Sequence, residues 1–247
     1  MIFSPFAYRQ ETIVTPPTPS IPTSGLTLYL DAGNAASYPG SGTSWFDLSG
    51  NGNTGTLNNG ITYSSADGGS FYFDYVDDYV SFAGVSGMPT GNTNYTTIVF
   101  FNTPYGPGGS GAGRGLIGWG QYGSNKQVNA FRLGTIAEVT SAGGLLNYWW
   151  ASDYVRTTTI TPNVWYSAAV TYNGSTRQFY KNNSSSGISS MASSALNVTR
   201  QDNLTVGRTY NAEYFPGNMS VVIVYNRTLD ATELTQVWDA FKGRYGY

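Results

Sequence analysis

The residues best suited to chemistry in this chain are oxygen ligands in a glycine-rich turn. Residues 45–57 read WFDLSGNGNTGTL and match the first half of the calcium loop D-x-[DN]-x-[DN]-G, with serine in the third place, at Asp47, Ser49, Asn51 and Gly52. The bidentate glutamate expected at the twelfth position is replaced by Asn58, which leaves one carboxylate where a hard cation prefers several. A phosphate-binding loop is disfavoured, because neither a lysine nor a helical pattern follows the glycines.

A tight structural corner is therefore the default interpretation of this stretch. We expect Trp45 and either Leu48 or Leu57 to be buried, and Asp47 to accept hydrogen bonds from backbone amides of its own turn. Any ion bound there is expected to be calcium, held weakly, with Asp47 and Asn51 as ligands.

A second acidic cluster, Asp74, Asp77 and Asp78, lies in FDYVDDYVSF. Neighbouring side chains of an extended chain point to opposite sides, so Asp77 and Asp78 are expected to diverge. Hydrogen bonding within a corner is one interpretation of these aspartates. The other is that Asp77 and Asp78 hold the calcium ion if the first loop does not.

Histidine and cysteine are absent from all 247 residues. Their absence excludes Ser-His-Asp and Cys-His catalysis, imidazole general bases, disulfides and zinc–thiolate sites. Zinc and copper would have to bind oxygen ligands alone, which both metals disfavour. The stability of the chain therefore rests on its hydrophobic core.

Charge and composition limit the partners. The net charge is −2 and only 11% of the residues are charged, which leaves no basic surface for nucleic acid or for an anionic membrane. No apolar run approaches the roughly 18 residues that are needed to span a bilayer. The N-terminal MIFSPFAYRQ lacks the basic and apolar regions of a secretion signal, so export by a signal of its own is not expected.

Aromatic side chains are candidates for a carbohydrate platform, because flat rings bind sugar faces while amides and carboxylates bind hydroxyls. Those at predicted strand ends or in loops are Trp119, Tyr122, Tyr148, Trp149, Trp150, Tyr154, Tyr210 and Tyr214. The alternative is that these rings belong to the core of a sandwich. Strand alternation allows only one of Trp149 and Trp150 to face solvent.

The elements that must position these residues are short strands. From Leu26 the chain alternates apolar runs with turn clusters, which predicts an all-β domain over residues 25–247. In VWYSAAVTY-NG-STRQFYKNN, Asn173 and Gly174 are expected to adopt the two positive φ angles of a type I′ hairpin turn. GNMSVVIVYN is largely apolar on both faces, as expected for a strand in the middle of a packed sheet.

One helix is predicted near the end of the chain. Asp230 is an N-cap residue with Glu233 three positions later, so the helix should begin at Ala231. Gly243 is expected to end it. An apolar stripe that should pack on the sandwich runs along Leu234, Val237, Trp238 and Phe241.

Residues 1–24 are predicted to form a proline-rich arm, because PPTPSIPTS favours extended polyproline geometry and is excluded from sheet interiors. The first eight residues are apolar for a solvated tail, with large side chains at Phe3, Phe6 and Tyr8. Two interpretations stay open. These side chains dock on another subunit as an anchor, or they fold back on their own domain.

Four blocks follow one another through residues 25–246: LTLYLDAGNAASYPGSGTSWFDLSGNGNTGTL, GGSFYFDYVDDYVSF, VWYSAAVTYNGSTRQFYKN and LTVGRTYNAEYFPGNMSVVIVYNRTLDATELTQVW. In this order they resemble the laminin G-like or concanavalin A-like jelly-roll domains of bacterial and phage proteins. The resemblance implies a two-sheet antiparallel sandwich with a short helix packed near its end. The first block is similar, in particular, to domains of bacteriophage structural proteins.

Glycosidases with this fold resemble one another in carrying E-x-D-x-E on one strand, which places acid and nucleophile on the same face. No glutamate of this chain has such a partner; the four are Glu11, Glu138, Glu213 and Glu233. We therefore expect no catalysis. The fold also hosts lectins, adhesion modules and structural parts of virions, so it does not decide the function by itself.

The sequence favours a virion structural protein, which would be a capsid decoration, fibre or spike that exposes a lectin-like sandwich and is anchored by its N-terminal arm. The expected partners are other virion proteins and host-surface polysaccharide, and the expected location is the virion surface. The alternative is a non-catalytic carbohydrate-binding or adhesion module on a bacterial cell surface. Structural calcium is the one cofactor considered.

Overall fold

The structure is a computed structural model that describes residues 20–105, 113–134, 144–183, 190–192 and 195–247, with the backbone alone at 155–157 and 190–192. Its strands are, in chain order, β1 (Leu26–Asp31), β2 (Ser44–Trp45), β3 (Gly55–Asn58), β4 (Thr62–Ser64), β5 (Ser70–Asp74), β6 (Tyr79–Phe82), β7 (Tyr95–Asn102), β8 (Arg114–Gly120), β9 (Val128–Leu133), β10 (Gly144–Tyr148), β11 (Tyr154–Thr157), β12 (Trp165–Tyr172), β13 (Thr176–Lys181), β14 (Ser190–Ala192), β15 (Thr205–Val206), β16 (Arg208–Thr209), β17 (Glu213–Tyr214) and β18 (Pro216–Tyr225). The helices are α1 (Ala231–Phe241) and two 3₁₀ turns, Ala66–Gly68 and Lys242–Tyr245.

These strands pair into two antiparallel sheets and one short ribbon. The first sheet has the order β14-β13-β12-β7-β18-β5-β4, and β1 also pairs with β18. The second sheet has the order β11-β10-β9-β8-β15-β6-β3-β2, and the ribbon is β16–β17. The two-sheet, all-β sandwich that the sequence predicts is confirmed.

The main core lies between the two sheets and is rich in aromatic rings. The position of strand β18 between two apolar layers explains why its sequence is apolar at nearly every position. Val222 and Val224 face this main core, whereas Val221 and Ile223 belong to a second apolar layer on the other face of the first sheet. Both faces of β18 are therefore buried, as the sequence predicts for a central strand.

Helix α1 supplies the cover for that second layer. Its start is confirmed: the Asp230 side chain accepts a hydrogen bond from the Glu233 amide, and Glu233 completes the capping box. The helix ends at Phe241, two residues before the predicted stop at Gly243, but Gly243 is not a left-handed cap, because it lies within the 3₁₀ turn Lys242–Tyr245. The left-handed residue that ends this turn is Gly246, at φ 80°. Among the described residues, no helix is long and apolar enough to cross a membrane.

The hairpin between β12 and β13 is confirmed, but its turn is not of type I′. Gly174 has a positive φ of 91°, whereas Asn173 does not appear among the residues with positive φ. Instead, the Asn173 side-chain oxygen accepts hydrogen bonds from the amides of Ser175 and Thr176, at 3.1 and 2.8 Å. The Asn173 amide also donates to the Thr176 carbonyl at 3.2 Å, so the turn closes around Gly174 and Ser175 with Gly174 as its one left-handed residue.

The anchoring residues expected in the arm, Phe3, Phe6 and Tyr8, lie outside the described residues. From Ser20 onward the chain lies on the domain. Ile21 is buried in the layer between the first sheet and α1, and the Ser20 carbonyl accepts a hydrogen bond from Gln236 at 3.1 Å. The domain boundary at residue 24 stays a prediction.

Candidate functional site

The β16–β17 ribbon lies across β8 of the second sheet, and two glycines of that strand make room for it. A Cβ atom at Gly115 would lie 2.1 Å from the backbone nitrogen of Thr209. A Cβ atom at Gly118 would lie 2.4 Å from the hydroxyl oxygen of Tyr122. Both glycines therefore allow a backbone or a ring to approach the strand more closely than any side chain would permit.

A buried ion pair holds the ribbon on the sheet. Arg132 of β9 pairs with Glu213 of β17, and the exposed fractions of the two side chains are 3% and 14%. The second carboxylate oxygen of Glu213 accepts a hydrogen bond from Oγ1 of Thr209 at 2.7 Å. The Arg132 guanidinium also lies 4.5 Å from the centre of the Tyr148 ring. Because charge-assisted bonds away from water restrict both partners, they fix the position of the ribbon.

Four rings form a continuous row from the second sheet to the ribbon. The ring centres are 5.5 Å apart for Tyr148 and Trp150, 5.3 Å for Trp150 and Tyr210, and 5.4 Å for Tyr210 and Tyr122. Trp150 has a left-handed backbone with φ 59°, which is uncommon for a bulky residue. Tyr210 is 39% exposed. The row thus supports one solvent-facing ring on three partly buried neighbours.

An open cleft of about 410 Å³ lies beside this row, within the roughly 300–1,000 Å³ of ligand sites. We name this cavity the aromatic cleft. It is lined by Gly120, Gln121, Tyr122, Arg200, Asn203, Thr205, Arg208, Tyr210 and Asn211. Burial raises the pKa of Tyr122 above the ordinary value of a phenol. The aromatic cleft combines rings with amide, hydroxyl and guanidinium groups, which is the mixture that a polar ligand with a flat face requires.

The two arginines of the aromatic cleft differ in their partners. Arg200 makes a bidentate pair with Asp202, with both bonds at 2.7 Å and both side chains largely in solvent. Arg208 lies against rings instead. Its Cζ atom is 3.6 Å from the centre of the Tyr79 ring and 5.9 Å from that of Tyr214. The positive charge of Arg208 is therefore held in place by aromatic contacts.

The structure brings five of the predicted glycan-binding rings together at this site. Tyr122 and Tyr210 line the aromatic cleft, and Tyr148 and Trp150 continue the row of rings. The ring of Tyr214 contacts Arg208, which also lines the cleft.

Three other predicted glycan-binding rings are core residues, which corrects the prediction for Trp119, Trp149 and Tyr154. Their exposed fractions are 1%, 0% and 5%. Trp149 packs edge-on against Tyr172 at 4.9 Å, and Tyr154 stacks on Phe179 at 4.7 Å. Trp149 points inward while its neighbour Trp150 lies outside, as the alternation predicts.

The polar residues of the aromatic cleft were not predicted; they are Gln121, Arg200, Asn203, Thr205, Arg208 and Asn211. A local signal existed, because RTYNAEY places an arginine and an asparagine around the exposed Tyr210 in a turn. That signal does not show that Tyr122 and Asn203, distant in sequence, complete the same cleft.

The structural corner predicted at WFDLSGNGNTGTL is confirmed. The Asp47 carboxylate accepts hydrogen bonds of 2.9 Å from the backbone amides of Tyr29, Ser49 and Asn53. Trp45 is fully buried, Leu57 packs on the main core and Leu48 on the second apolar layer. The Asn51 amide donates to the Leu26 carbonyl at 3.0 Å. Asp47 and Asn51 are therefore engaged in holding the corner, and their role as calcium ligands stays a prediction.

The second acidic cluster is a candidate metal site. Asp74, Asp77 and Asp78 each offer a carboxylate oxygen, and these oxygens lie within 4.8 Å of one another. Asp77 is exposed and Asp78 is buried, but the expected divergence of their side chains is wrong, because both residues lie in the turn between β5 and β6 and their carboxylate oxygens converge. One oxygen of Asp78 accepts from the Asp74 amide at 2.9 Å, and the other is buried without a hydrogen-bond partner. Burial, with the charges of Asp74 and Asp77, raises the pKa of Asp78 to about 6.

Comparison with known proteins identifies one family. Residues 73–235, more than half of the chain, match the profile of the family described as the concanavalin A-like lectin/glucanases superfamily. No curated protein gives a significant match to the sequence.

Solved structures from several different proteins are similar to this chain. The binding domain of Paraclostridial mosquitocidal protein 1 has a TM-score of 0.64 at 13% identity, over 88% of this chain and 52% of that one. Domain 4 of AbnA, a GH43 extracellular arabinanase from Geobacillus stearothermophilus, solved with arabinotriose, has a TM-score of 0.62 at 14% identity, over 87% of this chain and 98% of that one.

The binding domain of botulinum neurotoxin DC, solved with rat synaptotagmin II, has a TM-score of 0.64 at 11% identity, over 88% of this chain and 52% of that one. The chain thus spans about half the length of the two toxin binding domains. At these identities the likeness shows the fold alone.

Proposed function

This chain belongs to the concanavalin A-like lectin/glucanase superfamily, and from that premise we propose that it is a non-catalytic carbohydrate-binding module whose binding site is the aromatic cleft. The observation that carries the proposal is the solvent-facing ring of Tyr210, which stands beside Tyr122 at the wall of a 410 Å³ cleft with amide and guanidinium donors around it.

The chemistry of a sugar fits this arrangement. The C–H face of a pyranose or furanose ring packs on an aromatic ring, while its hydroxyls exchange water for amide and guanidinium groups such as those of Gln121, Asn211 and Arg208. Support by analogy comes from domain 4 of the arabinanase AbnA, which shares the fold and was solved with arabinotriose.

Replacing Tyr210 with alanine should weaken glycan binding by at least about tenfold, because it removes the exposed ring on which the sugar stacks. The measurement is a glycan array on the wild-type chain, followed by calorimetry of the best ligand. Tyr72→Ala is the matched control, since Tyr72 is 44% exposed on the first sheet, away from the aromatic cleft. Equal binding by wild type and Tyr210→Ala, or no glycan bound at all, would contradict the proposal.

The absence of catalysis belongs to the same proposal. Glu213 is committed to Arg132 and Thr209 beneath the ribbon, and Asp74, Asp77 and Asp78 are the acidic cluster found in the described residues. The glycan that binds should therefore be recovered intact after incubation with the protein. Release of reducing ends that is lost in Asp77→Asn or Asp78→Asn would show hydrolysis.

We propose in addition that the second acidic cluster binds structural calcium through Asp74, Asp77 and Asp78. A cation there would neutralise crowded carboxylates and supply a partner for the buried, unpaired oxygen of Asp78. At ten times its Kd, calcium should stabilise the fold by about 1.4 kcal/mol, which raises the Tm by roughly 3–6 °C for a chain of this size.

The measurement is the Tm with calcium against the Tm with a chelator. The rise should vanish in Asp78→Asn and persist in Asp47→Ala, since Asp47 is used by the corner. A rise that instead depends on Asp47, or no rise at millimolar calcium, would refute the site.

For the location of the module we propose display on a bacteriophage virion through the N-terminal arm, with a bacterial cell surface as the alternative. This rests on the likeness of the first sequence block to phage structural domains and on the apolar side chains of Phe3, Phe6 and Tyr8. Each such side chain contributes roughly 1.5–3 kcal/mol when it is buried on a partner.

Deleting residues 1–15 tests the anchor. We expect a domain of unchanged Tm that no longer co-purifies with phage particles, because the arm contributes to attachment and not to the core. A lowered Tm with attachment retained would show that these residues pack on their own domain.

A further inference from the structure

Arg208 sets the charge of the aromatic cleft. Its side chain extends from β16 and lies beside the rings of Tyr79 and Tyr214. In the described part of the chain, no acceptor takes a hydrogen bond from its guanidinium group. Three other arginines of the domain have carboxylate partners: Arg132 pairs with Glu213, Arg227 with Glu233 and Arg244 with Asp31. Arg114 also contacts rings, but it is buried. Arg208 therefore presents donors that the fold itself does not use.

The surroundings of Arg208 leave this charge uncompensated. In the aromatic cleft, Arg200 is neutralised by Asp202, and the other lining residues carry no charge. The carboxylate of the ribbon, Glu213, is neutralised by Arg132. The aromatic cleft thus carries about one net positive charge, which is opposite in sign to the net charge of −2 of the whole chain.

The ring contacts also prepare Arg208 for a planar anion. The Arg208 guanidinium carbon lies over the Tyr79 ring, 3.6 Å from its centre, and this ring contact leaves the N–H groups of the guanidinium for a bidentate acceptor. Stacking restricts the side chain before a ligand arrives, which lowers the entropy lost on binding.

We propose that the aromatic cleft takes an acidic glycan, one whose sugar carries a carboxylate as uronic and sialic acids do, and that Arg208 is the residue that determines this specificity. The inference rests on the proposed carbohydrate-binding function and adds the class of ligand. Tyr210 and Tyr122 supply the contact with the sugar ring, and the Arg208 guanidinium bonds both oxygens of the carboxylate. Sulfate and phosphate esters offer related oxyanions and are distinguished by the test.

The experiment measures the affinity of the full chain for matched pairs of probes by calorimetry. The pairs are trigalacturonic acid and its neutral methyl ester, and sialyllactose and lactose; a sulfated chondroitin oligosaccharide and a mannose-6-phosphate glycan form the other two arms. The carboxylated member of at least one pair should bind at least tenfold more tightly than its neutral parent. That preference should shrink as salt is raised from 50 to 500 mM, because screening weakens exposed charge pairs.

Arg208→Gln should remove the preference for the carboxylated probe while the Tm stays within a few degrees of wild type. Lys242→Gln is the control, since it removes one positive charge at a distant, exposed position on the C-terminal turn. Preference retained in Arg208→Gln, or equal binding of acidic and neutral probes, overturns the inference and leaves carbohydrate binding intact. Preference for sulfate or phosphate esters alone overturns the carboxylate assignment. Silence of every probe and of the glycan array overturns the function and the inference together.

Discussion

Replacing Arg177 with alanine is expected to destabilise the domain by about 3–5 kcal/mol. Arg177 lies on β13 and is fully buried. It donates hydrogen bonds to the carbonyl oxygens of Asn147 at 2.9 Å and Ser152 at 2.7 Å. Its guanidinium lies 3.7 Å from the centre of the Trp149 ring. Alanine would leave two acceptors without their donor, at about 1–3 kcal/mol each, and a cavity beside an indole ring.

Urea denaturation followed by tryptophan fluorescence measures this effect. Arg177→Met keeps most of the stem that packs on Trp149, so it should cost less than Arg177→Ala. Arg200→Ala is the exposed control and should leave the free energy of unfolding close to that of the wild type. A loss below about 1 kcal/mol for Arg177→Ala would show that water replaces the guanidinium at little cost.

Breaking the Asp31–Arg244 pair is expected to cost about 3–5 kcal/mol when one partner is removed. The pair is bidentate, with Nη1–Oδ1 at 2.6 Å and Nη2–Oδ2 at 2.8 Å. Asp31 is fully buried at the end of β1, and Arg244 follows α1 on the 3₁₀ turn. Arg244→Ala would leave the Asp31 carboxylate buried with the Gly33 amide and the Tyr29 hydroxyl as its donors.

A double-mutant cycle separates this pair from simple loss of packing. Asp31→Asn with Arg244→Ala should be more stable than the sum of the single changes predicts, because the uncompensated buried charge is then gone. Arg244→Lys should recover only part of the stability, since an ammonium group does not make the bidentate contact. Asp239→Ala breaks the exposed Asp239–Lys242 pair and is the control. Additive effects of the two single changes would contradict a direct coupling.

What the sequence by itself determined is the local structure. The capping box at Asp230 and Glu233 acts within one turn, so it predicted the start of α1 correctly. The Asp47 corner was also predictable, because a carboxylate followed by glycines and asparagines satisfies backbone amides of its own turn. The paired apolar faces of β18 predicted a central strand. Each of these depends on residues that are close together in the chain.

What only the tertiary structure decided is which side of each strand faces solvent and which distant segments meet. Alternation predicted that only one of Trp149 and Trp150 faces solvent. Which of the two is buried depends on strand pairing and on the contact of Arg177 with the Trp149 ring. The aromatic cleft exists because Gly115 and Gly118 let residues 208–214 lie on β8. A glycine in the sequence does not predict which distant segment will pack against it. Arg208 became a candidate for binding an anion only when the structure showed that its neighbours are rings and not carboxylates. The electrostatic environment of a charge depends on distances in space, which the order of residues in the sequence does not give.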